Sequence, residues 1–322
     1  MKGVKYMKKI IGLMAAAMFA VSAGIASAAT PLVDVEWVKA NIGKSGVVFL
    51  DVRGKLGGAS KADYMRAHIP GAVWTDYLKN GWRVKDKKGT VGMLPATDKL
   101  EKLIGGLGIG NDDHVVIVPV GGKAFDVGTA TRVYWTFKVL GHDKVSILDG
   151  GMNAYTKAKD KKTKKPVNPL EKGQVKPQAK MFKANLRTDM LVSKADVAAA
   201  SKGGGVLVDH RPNNQFLGIN KHGKAKRFGT IPASKNLPEN WLTENGGGVF
   251  RNKDTLAKLY ELAGVPTSGS QISFCNTGHW ASLGWFVSHE IMGNSQAKMY
   301  DGSMVEWTAD NSLPMQSAIK LK

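Results

Sequence analysis

The sequence has very little cysteine, few acidic residues and no long apolar run beyond residue 28. It has a single cysteine, Cys275, so an intramolecular disulfide is excluded. The seven histidines are scattered without metal-ligand spacing, and we therefore predict no metal and no cofactor. The 46 Lys and Arg outnumber the 26 Asp and Glu. They are not interleaved with aromatic residues, however, which argues against a nucleic-acid partner. Without a further apolar run, we also predict that the mature chain does not span a membrane.

The first 28 residues have the pattern of an export signal. Four lysines among the first nine residues precede an apolar stretch over 10–25, and Ala26-Ser27-Ala28 supplies small residues for cleavage. This order is typical of a secretory signal peptide, so we predict a periplasmic or secreted protein cleaved near Ala28. The alternative is an N-terminal membrane anchor. A lone thiol is a liability in an oxidising compartment, so its presence suggests that the protein uses it.

The chain of 322 residues is long enough for two domains, and it contains an internal repeat. Four motifs recur in the same order, at offsets of 152 to 162 residues: 50–53 as 208–211, 67–72 as 229–234, 108–109 as 264–265, and 149–152 as 301–304. We therefore predict an N-terminal domain over 32–156 and a C-terminal domain over 186–312. The stretch between them, 157–185, is rich in lysine and proline and is predicted to be a solvated linker.

Each copy shows the same order of strands and helices. The predicted strands cover 47–50, 114–118 and 145–148 in the first copy and 206–208, 271–274 and 297–300 in the second, and the long helices cover 129–140 and 281–292. Strands that alternate with helices predict an α/β fold, in which a mainly parallel sheet carries helices on both faces. Ligands of such sheets bind at the carboxyl ends of the strands, so we expect chemistry after Val208 and Phe274.

Cys275 directly follows one of these buried strands, and a predicted helix begins near Ala281. In such an arrangement the backbone N–H groups of the loop and the positive end of the helix favour the thiolate, which is the nucleophilic form of cysteine. Gly278 permits the turn that the loop needs. We therefore predict that Cys275 is a catalytic nucleophile. The alternative is a buried, inert cysteine.

The loop Cys-Asn-Thr-Gly-His-Trp-Ala over 275–281 resembles the Cys-x-x-Gly-x-x-Ala active-site loop of rhodaneses. The Asp-x-Arg, Ile-Pro and closing Asp-Gly-Gly or Asp-Gly-Ser motifs are similar to those of the same family, and the resemblance covers 32–155 and 190–310. It implies two tandem rhodanese-like domains. The C-terminal domain would be catalytic, and the N-terminal domain would be inactive because its corresponding loop, 119–123, has no thiol.

The resemblance further implies a sulfurtransferase that moves a sulfane sulfur through a persulfide on Cys275. The donor would be thiosulfate or a similar small anion, and the acceptor a thiol, cyanide or a protein. The substrate-binding loop would consist of Asn276, Thr277, Gly278, His279, Trp280 and Ala281. Within it, His279 is expected either to stabilise the thiolate or bind an anion, or to lie exposed. Trp280 is expected either to form a wall of the site or to pack against the second helix.

Four residues that follow the other strand end are further candidates: Asp209, His210, Arg211 and Gln215. We favour a structural ion pair for Arg211 and a hydrogen-bond-accepting role for Asp209, whereas His210 is a candidate for the cleft. Gln215 and Thr277 occupy positions where thiosulfate-type rhodaneses place a substrate-binding Arg and a loop Lys. Mercaptopyruvate sulfurtransferases also lack the loop cation, so the absence of both cations leaves the identity of the donor open.

Three other functions compete with this interpretation. Cys275 could carry a persulfide or selenopersulfide to a partner protein, with the basic linker docking an acidic partner. The second alternative is a rhodanese-like phosphatase or arsenate reductase. Those enzymes have one more loop residue and a closing Arg, where this sequence has Ala281-Ser282. The third is a non-catalytic binding module, against which the intact cysteine loop argues.

Overall fold

The structure is a computed structural model that describes residues 29–319, and the predicted signal peptide lies outside the described residues. Two α/β units follow one another along the described part of the chain. The elements of the first unit are β1 (Leu32–Val33), α1 (Val35–Asn41), β2 (Val47–Asp51), α2 (Lys61–Arg66), β3 (Val73–Trp74), β4 (Val84–Lys85), β5 (Val91–Met93), α3 (Thr97–Gly106), β6 (His114–Val118), α4 (Ala124–Val139), β7 (Val145–Leu148) and α5 (Gly151–Lys157).

The first sheet is parallel, with the strand order β1-β7-β6-β2-β3. Its central strand β6 is buried on both faces because successive side chains point in opposite directions. Val115 and Ile117 pack in one apolar cluster with residues of α3 and α4. Val116 and Val118 pack in a second cluster with residues of α1 and α5. The predicted sheet with helices on both faces is therefore confirmed.

The second unit repeats this plan. Its elements are α6 (Lys194–Lys202), β8 (Val206–Asp209), α7 (Asn213–Phe216), β9 (Lys235–Asn236), α8 (Lys253–Leu262), β10 (Gln271–Phe274), α9 (His279–Phe286), β11 (Ala297–Met299) and α10 (Ser303–Ala309). The parallel strands follow the order β11-β10-β8-β9. Leu191 pairs with Met299 by a single parallel bridge, at the sheet edge that β1 occupies in the first unit. The duplication predicted from the four motifs therefore corresponds to two copies of one topology.

The two long helices begin earlier than predicted. α4 begins at Ala124 rather than residue 129, and α9 begins at His279 rather than residue 281. Gly278 lies directly before α9 with a φ of +72°, a left-handed conformation that glycine adopts at little cost, so the helix starts at once. The helical stretch predicted to reach residue 292 leaves the α conformation after Phe286 and continues as a π-helical turn over Val287–Ile291.

The stretch predicted as a linker packs against the first unit. The backbone of Glu171 pairs with that of His68. Lys180 Nζ lies 2.7 Å from a carboxylate oxygen of Asp113. The side chain of Phe182 is buried in the cluster that contains α4. Most of the lysines of this stretch are exposed, so it is both solvated and attached to the first sheet unit.

Helices α4 and α9 pack against each other and join the two units. At their contact the hydroxyl groups of Thr131 and Ser282 lie 2.9 Å apart, fully buried. The antiparallel pair β4–β5 also reaches the second unit, because the N–H of Leu94 donates to the Asp301 carboxylate at 2.7 Å. No helix in the part of the chain that the structure describes has the length and hydropathy to cross a bilayer.

Candidate active site

Cys275 lies at the carboxyl end of β10, between the neighbouring strands β8 and β11. Phe274 packs in the cluster that holds residues of α6 and α10. Cys275, one residue further, lies on the opposite face, in the cluster shared with α4 and α9. Only 1% of its surface is exposed. It lies in the wall of a cavity of about 140 Å³ between the two units. The predicted nucleophile is therefore in a cleft, and only a small molecule has room to reach it.

Ser303 fixes the loop that follows Cys275. Its hydroxyl oxygen accepts the N–H of Cys275 at 3.1 Å and the N–H of Gly278 at 3.2 Å, and it donates to the carbonyl of Tyr300 at 2.9 Å. Ser303 has a φ of +49°, and Gly151, the corresponding residue of the first copy, has a φ of +56°. The recurring Asp-Gly motif marked this position in the sequence, but its role as the support of the loop was not predicted.

The cysteine loop has backbone N–H groups to offer to an anion. Within the described residues, those of Asn276 and Thr277 donate to no other protein group. The first turn of α9, from His279, adds further N–H groups that have no partner inside the helix. Such groups, together with the positive end of the helix, stabilise negative charge. The arrangement therefore suits a thiolate on Cys275 and an anion bound beside it.

The corresponding loop of the first copy has a carboxyl group against it. There the Asp126 carboxylate accepts the N–H of Gly121 at 2.6 Å, and the N–H groups of Val120 and Gly122 also favour its ionised form. Burial raises the pKa of Asp126, and these hydrogen bonds to the ionised form oppose that rise. A carboxylate of α4 therefore accepts an N–H of the loop over 119–123, and Pro119 stands where the second copy has Cys275.

His279 is buried and does not face an anion. Its Nε2–H donates to the carbonyl of Phe125 at 2.8 Å, and its Nδ1 accepts from the hydroxyl of Tyr77 at 3.1 Å. Burial, assisted by the nearby Arg83, lowers its pKa to about 3, so the ring is neutral at pH 7. Its expected role as an exposed or charged loop residue is wrong. The physical reason is that the first unit covers the ring and uses both nitrogens.

The other loop residues divide between the cavity and the packing beneath it. Asn276, Thr277 and Trp280 line the cavity with Cys275. Trp280 also packs edge-on against Phe125 with ring centroids 5.8 Å apart, so it is both a wall and a packing residue. Ala281 is fully buried in the core. Gly278 does not line the cavity, and a Cβ there would come within 2.4 Å of an Arg132 guanidinium nitrogen.

Gln215 contacts the loop through Asn276. The Asn276 amide nitrogen donates to Gln215 Oε1 at 2.9 Å. The other amide atom of Asn276, Oδ1, is buried and has no partner among the described residues. The prediction from sequence that residue 215 lies near the cysteine loop agrees with this contact, although the side chain reaches it as an amide and not as a cation.

Asp209 and Arg211 form a buried ion pair behind the site, with Nη2 and Oδ2 2.6 Å apart. The guanidinium also donates to the carbonyl of Gly229 at 2.9 Å. Asp51 and Arg53 repeat this pair in the first copy at 2.7 Å. The structural interpretation of Arg211 therefore agrees with the geometry.

His210 does not reach the cleft. Its Nδ1–H donates to the carbonyl of Leu237 at 2.8 Å, and its Nε2 accepts from the hydroxyl of Ser273 at 3.1 Å. Burial lowers its pKa to about 4. The hypothesis that His210 faces the cleft is wrong, because both nitrogens are bound beneath the sheet end and the ring packs against Gly284.

The structure adds two arginines from the first unit that sequence reasoning missed. Arg83 lines the cavity with Cys275, and its Nη2 donates to the carbonyl of Thr277 at 2.5 Å. Arg132 is fully buried, donates to the carbonyl of Gly278 at 3.2 Å and lies 2.6 Å from the Asp301 carboxylate. A cation is therefore present at the cavity although the cysteine loop has none. Nothing near Arg83 in the sequence signalled this, because the contact spans the two units.

No group of three or more potential metal-ligating side chains occurs within residues 29–319. The titratable side chains of the cavity are instead Cys275, Arg83, His279 and His222. The chemistry that this arrangement can perform is therefore nucleophilic attack by a thiolate on a small, negatively charged molecule.

Comparison with known proteins agrees with this geometry. The family model of the Rhodanese-like domain matches residues 34–158 and 193–310. A Saccharopolyspora erythraea protein named "Putative thiosulfate sulfurtransferase" is 31% identical over 89% of this chain and 96% of its own length. "Putative thiosulfate sulfurtransferase 1" of Mycobacterium bovis is 30% identical over 88% of this chain and 97% of its own length. The crystal structure of SseA from Escherichia coli, a 3-mercaptopyruvate sulfotransferase, matches with a TM-score of 0.72 and 25% identity, covering 85% of this chain and 99% of SseA.

Proposed function

The chain belongs to the rhodanese-like family and is a sulfurtransferase, and from this premise we propose that it moves a sulfane sulfur from a small anionic donor through a persulfide on Cys275. One observation carries the proposal. The only thiol of the chain lies in a small cavity beside a cation from the other unit. It begins a loop with N–H groups that have no partner within residues 29–319. An inert core cysteine requires none of these features.

In the first half-reaction the Cys275 thiolate attacks the outer sulfur of the donor. With thiosulfate, a bond forms between Sγ and that sulfur, the sulfur–sulfur bond of thiosulfate breaks, and its electron pair leaves with sulfite. The products are the persulfide anion and sulfite, so atoms and charge balance. Loop N–H groups and the first turn of α9 stabilise the negative charge on sulfur, as an oxyanion hole does for oxygen.

Arg83 is the residue that we assign to the anionic end of the donor. It lines the cavity with Cys275, and its bond to the Thr277 carbonyl holds the guanidinium against the cysteine loop. A planar guanidinium suits both a sulfonate and a carboxylate. The position of Arg83 supports thiosulfate as the donor, although Gln215 and Thr277 stand where thiosulfate-type rhodaneses have an Arg and a Lys. It also accommodates 3-mercaptopyruvate, the substrate class named for SseA.

In the second half-reaction a nucleophilic acceptor removes the outer sulfur and returns Cys275 to the thiolate. Cys275 is 1% exposed, so an acceptor has to enter the cavity to reach it. This burial favours turnover with small acceptors over the carrier alternative, in which a partner protein would take the sulfur directly.

The test is the intact mass of the purified protein before and after thiosulfate, with Cys275→Ala as the control. The proposal predicts a gain of one sulfur atom, about 32 Da, on the wild type alone. The same measurement with 3-mercaptopyruvate identifies the preferred donor. If neither donor adds mass while iodoacetamide still alkylates Cys275, the persulfide mechanism with these donors is refuted.

We also propose that the protein is exported, on the basis of its basic and then apolar N-terminal sequence. Expression with its own N-terminus in a Gram-negative host, followed by fractionation, should place the protein in the periplasm. Its N-terminus should then be Ala29. A full-length protein in the cytoplasm would refute export, and a full-length protein in the membrane fraction would support the N-terminal anchor.

A further inference from the structure

A second hollow of about 430 Å³ opens beside the Cys275 cavity. The two share Leu78, Arg83, His222 and Thr277 in their walls. The hollow therefore adjoins the cavity in front of the thiol, and these four residues stand between the two.

Four basic side chains from both units line this hollow: Arg83, Lys85, His222 and Lys224. The lining residues include no carboxylate. Within residues 29–319, neither Arg83, Lys85 nor Lys224 forms a salt bridge. By contrast, each of the buried cations forms an ion pair: Arg53, Arg132, Lys138 and Arg211. The hollow therefore has an excess of positive charge that the protein does not neutralise.

The cations that line the hollow also act on the His222 side chain. Burial, and then the neighbouring cations Lys224, Arg83 and Lys221, lower its pKa. Positive charge concentrated in a concave surface attracts anions. A ligand with more than one negative group suits it better than a single-charged ligand, because Arg83 and Lys224 come from different units.

We propose that this hollow binds the carboxylates of a small polyanionic thiol, which is the sulfur acceptor of the second half-reaction. The inference rests on the proposed function, because it assigns a substrate class to the same enzyme. The acceptor's carboxylates lie among Lys85, Lys224 and His222, and its thiol points past Arg83 and Thr277 toward Cys275. The burial of Cys275 requires that the acceptor be small.

The transfer itself balances without any further reactant. The acceptor thiol first gives its proton to the Cys275 persulfide anion. The acceptor thiolate then attacks the outer sulfur of the protonated persulfide. A bond forms between the two sulfurs, and the bond between Sγ and the outer sulfur breaks. Its electron pair stays on Sγ, so the Cys275 thiolate is regenerated and the acceptor leaves as a persulfide that carries the proton. No oxidant or reductant is consumed.

The test uses mercaptosuccinate, a thiol with two carboxylates, and 2-mercaptoethanol, a neutral thiol. The persulfide is formed first, and its loss is followed by intact mass after quenching. The double variant Lys85→Gln with Lys224→Gln should lower kcat/KM for mercaptosuccinate about fivefold, which corresponds to two partly exposed ion pairs. It should leave the reaction with 2-mercaptoethanol unchanged.

The matched control is Lys55→Gln with Lys61→Gln. These lysines line a neighbouring hollow beside Trp74 and Leu78, so the control removes the same charge from a nearby place. If both double variants lower the mercaptosuccinate rate equally, the effect is general attraction and the proposed hollow is refuted. If the Lys85 and Lys224 variant has no effect, the proposal is also refuted.

Binding without sulfur transfer separates this inference from the proposed function. Calorimetry with the Cys275→Ala protein measures the binding of mercaptosuccinate to the hollow without any sulfur transfer. Binding that is lost in the Lys85 and Lys224 background supports the hollow even if no persulfide forms in the wild type. Absence of binding, in protein whose wild type does form the persulfide, overturns the inference and leaves the proposed function standing.

Discussion

Replacing Ser303 by alanine tests whether one buried hydroxyl holds the cysteine loop in its reactive shape. The hydroxyl oxygen accepts the N–H groups of Cys275 and Gly278, at 3.1 and 3.2 Å, and Ser303 is fully buried. Alanine leaves both of these N–H groups without their acceptor. An unsatisfied buried donor costs about 1–3 kcal/mol. The free energy of unfolding should therefore fall by about 3 kcal/mol for the pair.

The Ser303→Gly variant separates the effect of the lost hydrogen bonds on stability from the effect of backbone strain. Ser303 has a φ of +49°, a region where a side chain costs roughly 1 kcal/mol or more and glycine costs less. Glycine also lacks the hydroxyl, so its variant should lose stability too, although less than the alanine variant. The corresponding residue of the first copy is Gly151, so the backbone itself accepts glycine at this place.

The assays are urea unfolding at pH 7 and the rate of persulfide formation by intact mass. Both variants should form the persulfide at least about tenfold more slowly, because loss of positioning near 1 Å has that order of effect. Two results would refute the reasoning. One is a glycine variant as stable as the wild type, which would mean that relief of backbone strain outweighs the two lost hydrogen bonds. The other is an alanine variant with a normal rate of persulfide formation.

Three further predictions concern charged and titratable side chains at the cavity or buried near it. Arg83→Gln should raise the KM for the donor about tenfold, which is the low end for a lost charge-assisted hydrogen bond. Iodoacetamide alkylation of Cys275 should stay unchanged. An unchanged KM would show that Arg83 does not bind the donor. Arg132→Met should lower the free energy of unfolding by about 3 kcal/mol, because it leaves Asp301 unpaired. Adding Asp301→Asn to that variant should restore part of the loss in urea unfolding, and no restoration would show that the pair is not coupled. The pKa values of His279 and His210 fall to about 3 and about 4 in the folded protein. Both pKa values lie below the unfolded value of about 6.5, so the unfolded state binds protons first as the pH falls. The free energy of unfolding is therefore highest above pH 6.5 and falls on acidification. By pH 5 the loss is about 2 kcal/mol for each histidine. Urea unfolding at pH 7 and pH 5 should therefore show a smaller difference for His279→Gln than for the wild type, and an equal difference would contradict the assignment.

The features that the sequence predicted correctly are carried by short segments. The strand before Cys275, the glycine in its loop and the repeated Asp-x-Arg motif are each encoded within a few residues. Periodicity and turn chemistry are local properties, so two parallel sheets, one in each copy, could be inferred. The position of Cys275 at a strand end followed from the same local pattern.

The features that were missed depend on contacts between distant segments. His279 looks like an exposed loop residue until Tyr77 and Phe125 of the first unit cover it. Arg83 and Thr277 are 194 residues apart in the chain, and no local signal links them. A hypothesis drawn from the cysteine loop alone therefore lacked the cation that the cavity contains.

The first copy, whose loop has no thiol, has a structural role that follows from Asp126. The Asp126 carboxylate accepts the N–H of Gly121 in the loop over 119–123, and α4 begins directly after this loop. From α4, Gly128 gives room for the His279 ring, and Arg132 binds the carbonyl of Gly278. The loop of the first copy thus has an internal hydrogen-bond acceptor and no thiol, and the helix that follows it supports the cysteine loop. In the second copy the N–H groups of Asn276 and Thr277 have no protein acceptor among the described residues, and the cavity forms where the two units meet.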